Sequence, residues 1–240
     1  MKIYNIGNRI MNTYIYKIND GYVMIDTGYE HSLNKVIKKL NKLNINITDI
    51  KYVFLTHAHD DHAGFLNELL KINTELKVII SDKAMPTLKI GQNSFNGGCS
   101  TKLALVFCKF MAILGNSEHK FPKIEDKYDD RFITITNENI NEFQNILNGE
   151  IIYTPGHTSD SISLILDDII LCGDAAMNGI PSLKRLIIWI EDLKEYEQSW
   201  DKIINTKANK IYPAHGKPFS KTDLIKYKKY IKKIKLYKLK

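Results

Sequence analysis

The chain has 240 residues, of which 44% are hydrophobic and 25% charged, and its formal net charge is +7. This length is enough to bury a substantial core, and because no low-complexity or Gly/Pro-rich stretch divides the chain, we expect one domain over residues 1–240. The longest apolar segment, residues 103–114, is interrupted by Lys109 and is too short to cross a bilayer, which excludes a membrane-spanning helix.

The first half of the chain alternates strand and helix patterns. Strands are predicted at about residues 2–6, 13–18, 22–25, 51–55 and 77–80, and helices at about 31–43 and 62–71. Residues 85–131 do not fit this pattern and are predicted to be an insertion. Within it, the run from Thr101 to Leu114 predicts a buried helix, with a homodimer contact as the alternative.

The second half repeats the order of strands followed by helices. Strands are predicted at about residues 132–135, 150–153, 161–166, 168–172 and 210–212, with a helix at about 192–205 and another in the tail. This order favours an α/β fold in which two mixed sheets pack face to face with helices outside, over a doubly wound parallel sheet.

The positive charge lies almost entirely in the tail. Residues 221–240 contain nine lysines and one acid, so the other 220 residues carry a net charge of −1. Leu224, Tyr227, Ile231 and Ile234 recur at helical spacing, which predicts an amphipathic helix with one face on the domain and its lysines outward. A solvated lysine face is the simplest interpretation, so nucleic acid is not expected as a partner.

The three cysteines, Cys99, Cys108 and Cys172, are an odd number without ligand-like spacing. Polar residues also interrupt every apolar run at the amino terminus, so no secretory segment is indicated. Reduced thiols in a cytoplasmic protein are therefore expected.

The main chemical motif is a polar stretch directly behind the predicted strand at 51–55. It groups three imidazoles and two carboxylates within residues 56–62, and its candidate ligands are His57, His59, Asp61 and His62. Imidazole and carboxylate hold divalent ions such as zinc, and one short loop can bring several of them to one point. The motif therefore predicts a metal site.

Three further polar residues follow predicted strands in the same way. His157, Asp174 and His215 each come a few residues after an apolar run, with Gly or Pro marking the turn. If these strand ends share one edge, all the candidate ligands arrive there from different loops. Five of the seven histidines are then explained.

In their order and spacing, these motifs resemble the metallo-β-lactamase fold hydrolases over residues 22–216. The resemblance implies the αβ/βα four-layer sandwich of that family and two divalent metal ions, most simply zinc, with iron or manganese as alternatives. His57, His59 and His157 would hold one ion, while Asp61, His62 and His215 would hold the other, with Asp174 bridging. Asp26 matches the first motif of the family and would orient a ligand histidine.

Within the family, the segment around His157 is most similar to the glyoxalase II and lactonase branch. Only about twenty-five residues follow His215, so a counterpart of the helical domain that binds glutathione in glyoxalase II is not expected. Lactonases of this fold have a Tyr where this chain has Met177. The motif ends in His62, where class B1 β-lactamases have Arg, so a penicillin substrate is not indicated.

The resemblance also implies a reaction. Two ions about 3.5–4 Å apart share a water and convert it to a hydroxide nucleophile, and Asp61 could carry the proton to the leaving group. A small ester, thioester or lactone is the expected substrate. In this family an insertion such as 85–131 commonly forms a lid, whose apolar wall would consist of Phe107, Phe110, Met111 and Leu114. Met177, outside the insertion, is a further candidate for the substrate pocket.

Two other activities remain open. Phosphodiester cleavage, as in the RNase Z branch, shares the histidine motif but lacks support from the near-neutral body of the chain. A persulfide dioxygenase would hold one iron through His57, His157 and Asp174, with a variable role for His59. Ligand type alone does not separate iron from zinc.

Overall fold

The computed structural model describes residues 1–115 and 117–239. The chain divides into two compact units, and each unit takes up two separate stretches of sequence. Unit 1 consists of Met1–Asn93 and Lys120–Glu150, and unit 2 consists of Ser94–His119 and Ile151–Lys240.

Unit 1 is built on a six-stranded mixed sheet in the order β1-β2-β3-β4-β5-β7, with labels numbered along the whole chain. β1 to β3 pair antiparallel, and β3, β4, β5 and β7 pair parallel. The strands are β1 (Ile3–Asn5), β2 (Tyr14–Ile18), β3 (Gly21–Ile25), β4 (Ile50–Phe54), β5 (Lys77–Ser81) and β7 (Phe132–Ile135).

The helices of unit 1 connect these strands and cover its core. In α1, Leu33, Val36 and Leu40 recur at helical spacing and are buried, as an amphipathic helix requires. The helices are α1 (Leu33–Lys42), α2 (Asp60–Ala63), α3 (Leu66–Ile72), α4 (Met85–Ile90) and α6 (Ile140–Leu147), with 3-10 turns at Ile47–Asp49 and Asp126–Arg131.

Unit 2 contains a second mixed sheet of five strands, in the order β13-β12-β10-β9-β8, and a two-stranded ribbon of β6 and β11. All five residues of β9 are buried, as expected for a strand inside a sheet. The strands are β6 (Gly98–Cys99), β8 (Glu150–Tyr153), β9 (Ile162–Leu166), β10 (Ile169–Leu171), β11 (Trp189–Ile190), β12 (Lys210–Tyr212) and β13 (Phe219–Ser220).

Three helices complete unit 2. They are α5 (Lys102–Ile113), α7 (Leu193–Asn205) and α8 (Lys221–Tyr227), and a 3-10 segment (Lys228–Lys233) follows α8. α7 begins at Asp192, whose carboxylate accepts a hydrogen bond from the Glu195 amide at 2.8 Å. The helix buries Tyr196, Trp200 and Ile203 in the core of unit 2. The α/β class with two mixed sheets is thus confirmed.

One predicted helix is interrupted in the structure. The pattern at 62–71 predicted a single helix, but α2 ends at Ala63 and α3 begins at Leu66. At Gly64 between them, an added Cβ would lie 2.4 Å from the Glu30 amide nitrogen and 2.6 Å from the Gly28 carbonyl oxygen. The helix is interrupted next to this glycine, whose backbone packs directly against another backbone segment.

The expectation that residues 101–114 form a buried core helix is wrong. The helix exists as α5, but only Ala104 on it is buried. Val106, Phe110 and Ile113 are 63%, 56% and 82% exposed. The apolar composition of this run therefore reflects only partial burial within the chain.

The tail is not one continuous helix. α8 ends at Tyr227, the 3-10 segment follows, and Tyr237 then pairs with Cys99 of β6 through two backbone hydrogen bonds of 2.8 and 3.0 Å. Leu224 and Ile231 are fully buried, so the predicted packing of one tail face on the domain is confirmed. Across the described residues, every helix is too short or too polar to cross a membrane.

Candidate metal centre

The polar residues of unit 1 lie where two parallel strands end. β3 and β4 pair with Ile25 opposite Phe54, so the residues that follow each strand emerge at the same edge of the sheet. Asp26 follows β3, and Thr56 and His57 follow β4. This register explains why two motifs thirty residues apart in sequence form one cluster.

Asp26 is the hub of this cluster. Its buried carboxylate accepts hydrogen bonds from the Thr56 amide at 2.7 Å and the Thr56 hydroxyl at 2.9 Å, and it lies 2.8 Å from His62 Nδ1. Because a carboxylate only accepts, His62 Nδ1 is the donor, which leaves the lone pair on Nε2. The backbone of Asp26 has φ of 56°, a left-handed conformation that is uncommon outside glycine and often occurs at functional sites.

Thr27 holds the backbone of His62 in place. Its amide and its hydroxyl both donate to the His62 carbonyl oxygen, each at 2.7 Å. His62 is therefore fixed at its ring by Asp26 and at its main chain by Thr27. A side chain held at two points presents its second ring nitrogen in one direction.

His57 and His59 form a second pair of nitrogens. The Thr56 hydroxyl donates its one proton to Asp26, so it accepts from His57 Nδ1 at 3.2 Å, and the lone pair of His57 is on Nε2. His57 Nε2 lies 3.2 Å from His59 Nδ1. Two nitrogens bound to one tetrahedral zinc at about 2.0–2.1 Å are about 3.3 Å apart, so this pair fits a shared ion.

The carboxylates at 60 and 61 take different positions. Asp61 Oδ1 lies 3.7 Å from His62 Nε2, which groups these two residues as a second potential ligand pair. Asp60 instead exchanges two hydrogen bonds with the Asn93 side chain, at 2.7 and 2.8 Å. Unit 1 thus contains two ligand pairs, and Asp60 has an anchoring role.

Unit 2 uses the same arrangement of parallel strand ends. β10 and β12 pair parallel, with Leu171 opposite Tyr212, and their continuations carry Asp174 and His215. His215 Nε2 lies 3.5 Å from Asp174 Oδ2, and His157 Nε2 lies at the same distance from the same oxygen. One carboxylate oxygen therefore stands between two imidazoles, which suits a ligand shared by two ions.

A main-chain carbonyl group orients the His157 side chain. Its Nδ1 donates to the Trp189 carbonyl oxygen at 2.8 Å, so the lone pair is on Nε2, the atom that faces Asp174. Gly156 before it has φ of 127°, and a Cβ there would lie 2.3 Å from the Tyr196 amide nitrogen. Only glycine allows this close approach of the loop to α7.

The structure thus brings the predicted residues of each unit together. Asp26, His57, His59, Asp61 and His62 form one cluster in unit 1, and His157, Asp174 and His215 form another in unit 2.

The residues predicted to contact substrate differ in how exposed they are. Met177 is 3% exposed and lies in the hydrophobic core of unit 2, whereas Phe110 is 56% exposed. Phe107 and Met111 are half-buried on α5. Their assignment to a substrate pocket stays a prediction.

Sequence reasoning missed two groups that hold ligands. The Thr56 hydroxyl links Asp26 to His57, and its position directly before the histidine motif was the available signal. The Trp189 carbonyl that orients His157 is a backbone atom, so no side-chain pattern could have indicated it.

Comparison with known proteins agrees with this geometry. The family model described as Metallo-beta-lactamase superfamily matches residues 6–215. An archaeal metallo-beta-lactamase fold-containing protein of Sulfurisphaera tokodaii is 32% identical over 205 residues, which cover 81% of this chain and 68% of that protein. A probable metallo-hydrolase of Methanocaldococcus jannaschii is 26% identical over 196 residues, which cover 81% of this chain and 82% of that protein.

More distant relatives extend beyond the matched region. A beta-lactamase-like protein 2 homolog of Drosophila melanogaster is 24% identical over 206 residues, which cover 85% of this chain and 58% of that protein. Among solved structures, the archaeal superfamily protein from Sulfolobus tokodaii has a TM-score of 0.61 at 24% identity, covering 95% of this chain and 84% of its own. A family protein from Thermus thermophilus has a TM-score of 0.63 at 17% identity, covering 96% of this chain and 78% of its own.

The chain therefore belongs to the metallo-beta-lactamase superfamily, as its motifs predicted. Members of this superfamily are generally metal-dependent hydrolases. Each unit of the chain carries histidine and aspartate side chains of a type that can bind a metal ion.

Proposed function

We propose that the chain is a binuclear metal-dependent hydrolase that cleaves a small ester, thioester or lactone. The observation that carries the proposal is the cluster of metal-type donors that each unit brings together. Unit 1 has two pairs of potential ligands, and unit 2 has one carboxylate oxygen placed equally between two imidazoles.

The ligand sets are those that the motifs of the superfamily imply. His57 and His59, with His157 from unit 2, would hold one ion. Asp61 and His62, with His215 from unit 2, would hold the other. Asp174 would bridge the two ions. Imidazole and carboxylate donors favour zinc, and iron or manganese are the alternatives that metal analysis distinguishes.

The side chains of unit 1 support a division of roles. When bound, two divalent ions supply a Lewis acid for the substrate oxygen and lower the pKa of a shared water toward neutrality. Asp61, whose side chain is 13% exposed, reaches solvent and would pass a proton to the leaving group. Asp26 would position His62 and take no part in the reaction itself.

Two features support a small-molecule substrate in the cytoplasm. The 220 residues outside the tail have a net charge of −1, which does not favour a nucleic-acid backbone. Cys99, Cys108 and Cys172 form no disulfide among the described residues, as expected where thiols are kept reduced.

Metal analysis of the purified protein tests the proposal directly. We expect two zinc ions per chain in the wild type, and fewer in the His57→Ala variant. His31→Ala is the matched control, because the His31 side chain is exposed and lies outside every ligand group. One iron per chain would favour the persulfide dioxygenase alternative, and no metal after reconstitution would rule out both enzymes.

Substrate class and the role of Asp61 need activity measurements. A panel of lactones, thioesters and a bis-aryl phosphodiester separates the proposed hydrolase from a nuclease. In the Asp61→Asn variant we expect turnover to fall by about 10²–10⁴-fold. Unchanged turnover at full metal occupancy would eliminate proton transfer by Asp61.

A further inference from the structure

The most unusual surface of the described chain is the outer face of α5, which we call the α5 stripe. It consists of Leu103, Val106, Phe110 and Ile113, which are 45%, 63%, 56% and 82% exposed. Their spacing of three, four and three residues puts all four on one side of the helix, over about 15 Å of its length. The opposite side carries Ala104, the one buried residue of the helix.

An exposed apolar stripe of this kind is expected to be covered by a binding partner. Single exposed apolar residues are ordinary, but a contiguous apolar row marks an interaction surface. It is also continuous with Leu114, which follows the helix and is 58% exposed. The helix is therefore apolar on both sides, with Ala104, Phe107 and Met111 at least partly buried and the stripe exposed.

Positive charge borders the stripe. Lys102 and Lys109 are exposed, and α5 carries no acidic residue. Lys102 is four residues before Val106, and Lys109 is three residues after it, so both ammonium groups flank the apolar row. Long lysine side chains can keep their charge at a polar surface while the row beside them is buried.

The lysine-rich tail reaches the same part of unit 2. Tyr237 pairs with Cys99 of β6, three residues before α5 begins. This pairing places the exposed Lys235 and Lys238 on the strand-like segment next to β6. Earlier in the tail, Lys229 and Lys233 are also exposed. The apolar stripe and the densest positive charge of the chain are thus joined by a backbone pairing.

We propose that α5 and the tail together bind the surface of an anionic lipid bilayer. The stripe would lie in the boundary between headgroups and acyl chains, as an interfacial helix does, without crossing the membrane. The lysines would contact anionic headgroups, whose surface potential attracts basic segments. A second copy of this chain is a less suitable partner for the α5 stripe, because it would bring the lysines of the two copies close together.

Vesicle co-sedimentation tests the proposal. We expect the wild-type protein to sediment with vesicles of equal parts phosphatidylglycerol and phosphatidylcholine, and to remain in solution with pure phosphatidylcholine. The variant Val106→Ser/Phe110→Ser/Ile113→Ser should lose binding. The matched control is Ile72→Ser/Ile90→Ser/Ile180→Ser, which removes three exposed apolar side chains elsewhere and should bind like wild type. Binding by the α5 variant at wild-type strength would overturn the proposal.

The tail has its own test. Lys233→Gln/Lys235→Gln/Lys238→Gln should weaken binding about fivefold for each lysine replaced. The control Lys17→Gln/Lys38→Gln/Lys42→Gln removes the same charge from exposed positions in unit 1 and should have little effect. Equal weakening by both variants would show a response to net charge alone and would contradict a tail-specific contact.

Fluorescence separates insertion from self-association. A tryptophan in the Phe110→Trp variant should shift to shorter wavelength when anionic vesicles are added, and one in Ile72→Trp should not. Sedimentation velocity tests the alternative, in which two copies of the chain associate through the α5 stripe. A dimer of the wild type that the three α5 serines abolish would show that a second copy covers the stripe, and would overturn the lipid proposal.

Discussion

The two units fix their candidate ligand histidines by different means. In unit 1, His62 is held by the carboxylate of Asp26, which also binds Thr56. In unit 2, His157 is held by the main-chain carbonyl of Trp189, in a loop whose path depends on Gly156. Unit 1 should therefore be sensitive to a change of one side chain, and unit 2 to changes that move the backbone.

The largest effect is expected from Gly156→Ala in unit 2. The new Cβ would meet Tyr196 backbone atoms at 2.3 and 2.4 Å, at a φ of 127° that alanine disfavours. We expect a loss of about 3–5 kcal/mol in the free energy of unfolding. Urea denaturation followed by tryptophan fluorescence measures it, because Trp189 and Trp200 both belong to unit 2.

Gly115→Ala is the matched control for this change. Gly115 also has a positive φ, 87°, but its Cβ would have no neighbour within 4 Å among the described residues. It should cost about 1–2 kcal/mol, the penalty for the left-handed conformation alone. If the two variants are equally destabilised, the close approach of the loop to α7 has no special role.

A smaller effect is expected from Asp26→Asn in unit 1. Asparagine tolerates the left-handed backbone at this position, so the change mainly removes the charge and one acceptor facing His62 and Thr56. We expect zinc affinity to fall by about 10–100-fold, measured by competition with a chromophoric chelator. The exposed Asp20→Asn should have no effect. If Asp26→Asn binds zinc with wild-type affinity, the Asp26 carboxylate is not what prepares His62 for metal binding.

The smallest effect is expected from Trp189→Phe. This change keeps the carbonyl that orients His157 and removes the indole hydrogen bond to the Asn96 carbonyl oxygen at 2.7 Å. Stability should fall by about 1 kcal/mol, while zinc affinity should change by less than about threefold. A loss of affinity as large as that of Asp26→Asn would show that the Trp189 side chain, and not its main chain, controls the ligand.

The strands and the polar residues that follow them could be predicted because they depend on local patterns. A buried strand requires an apolar run, and a polar residue just beyond it marks the sheet edge, so β4 and β10 led directly to His57 and Asp174. The strand register, which the sequence does not reveal, determines which of these residues lie side by side. It brought Asp26 beside Thr56 and His215 beside Asp174, through pairings between distant strands.

What sequence failed to predict depends on the environment of a segment. The apolar run of α5 is typical of a buried helix, and composition does not distinguish a face buried in the core from a face left exposed. The strands β6 and β11 are two residues each and about ninety residues apart, too short to carry a period-two pattern.

The interleaving of the two units constrains how this chain can be made and divided. The strand β7 completes the sheet of unit 1 by pairing with β5, yet residues 94–119 between them belong to unit 2. During synthesis, unit 1 therefore stays without its edge strand until the ribosome has passed well beyond residue 135. No single cut in the gene yields one unit intact, so the two would have to be inherited, expressed and engineered together.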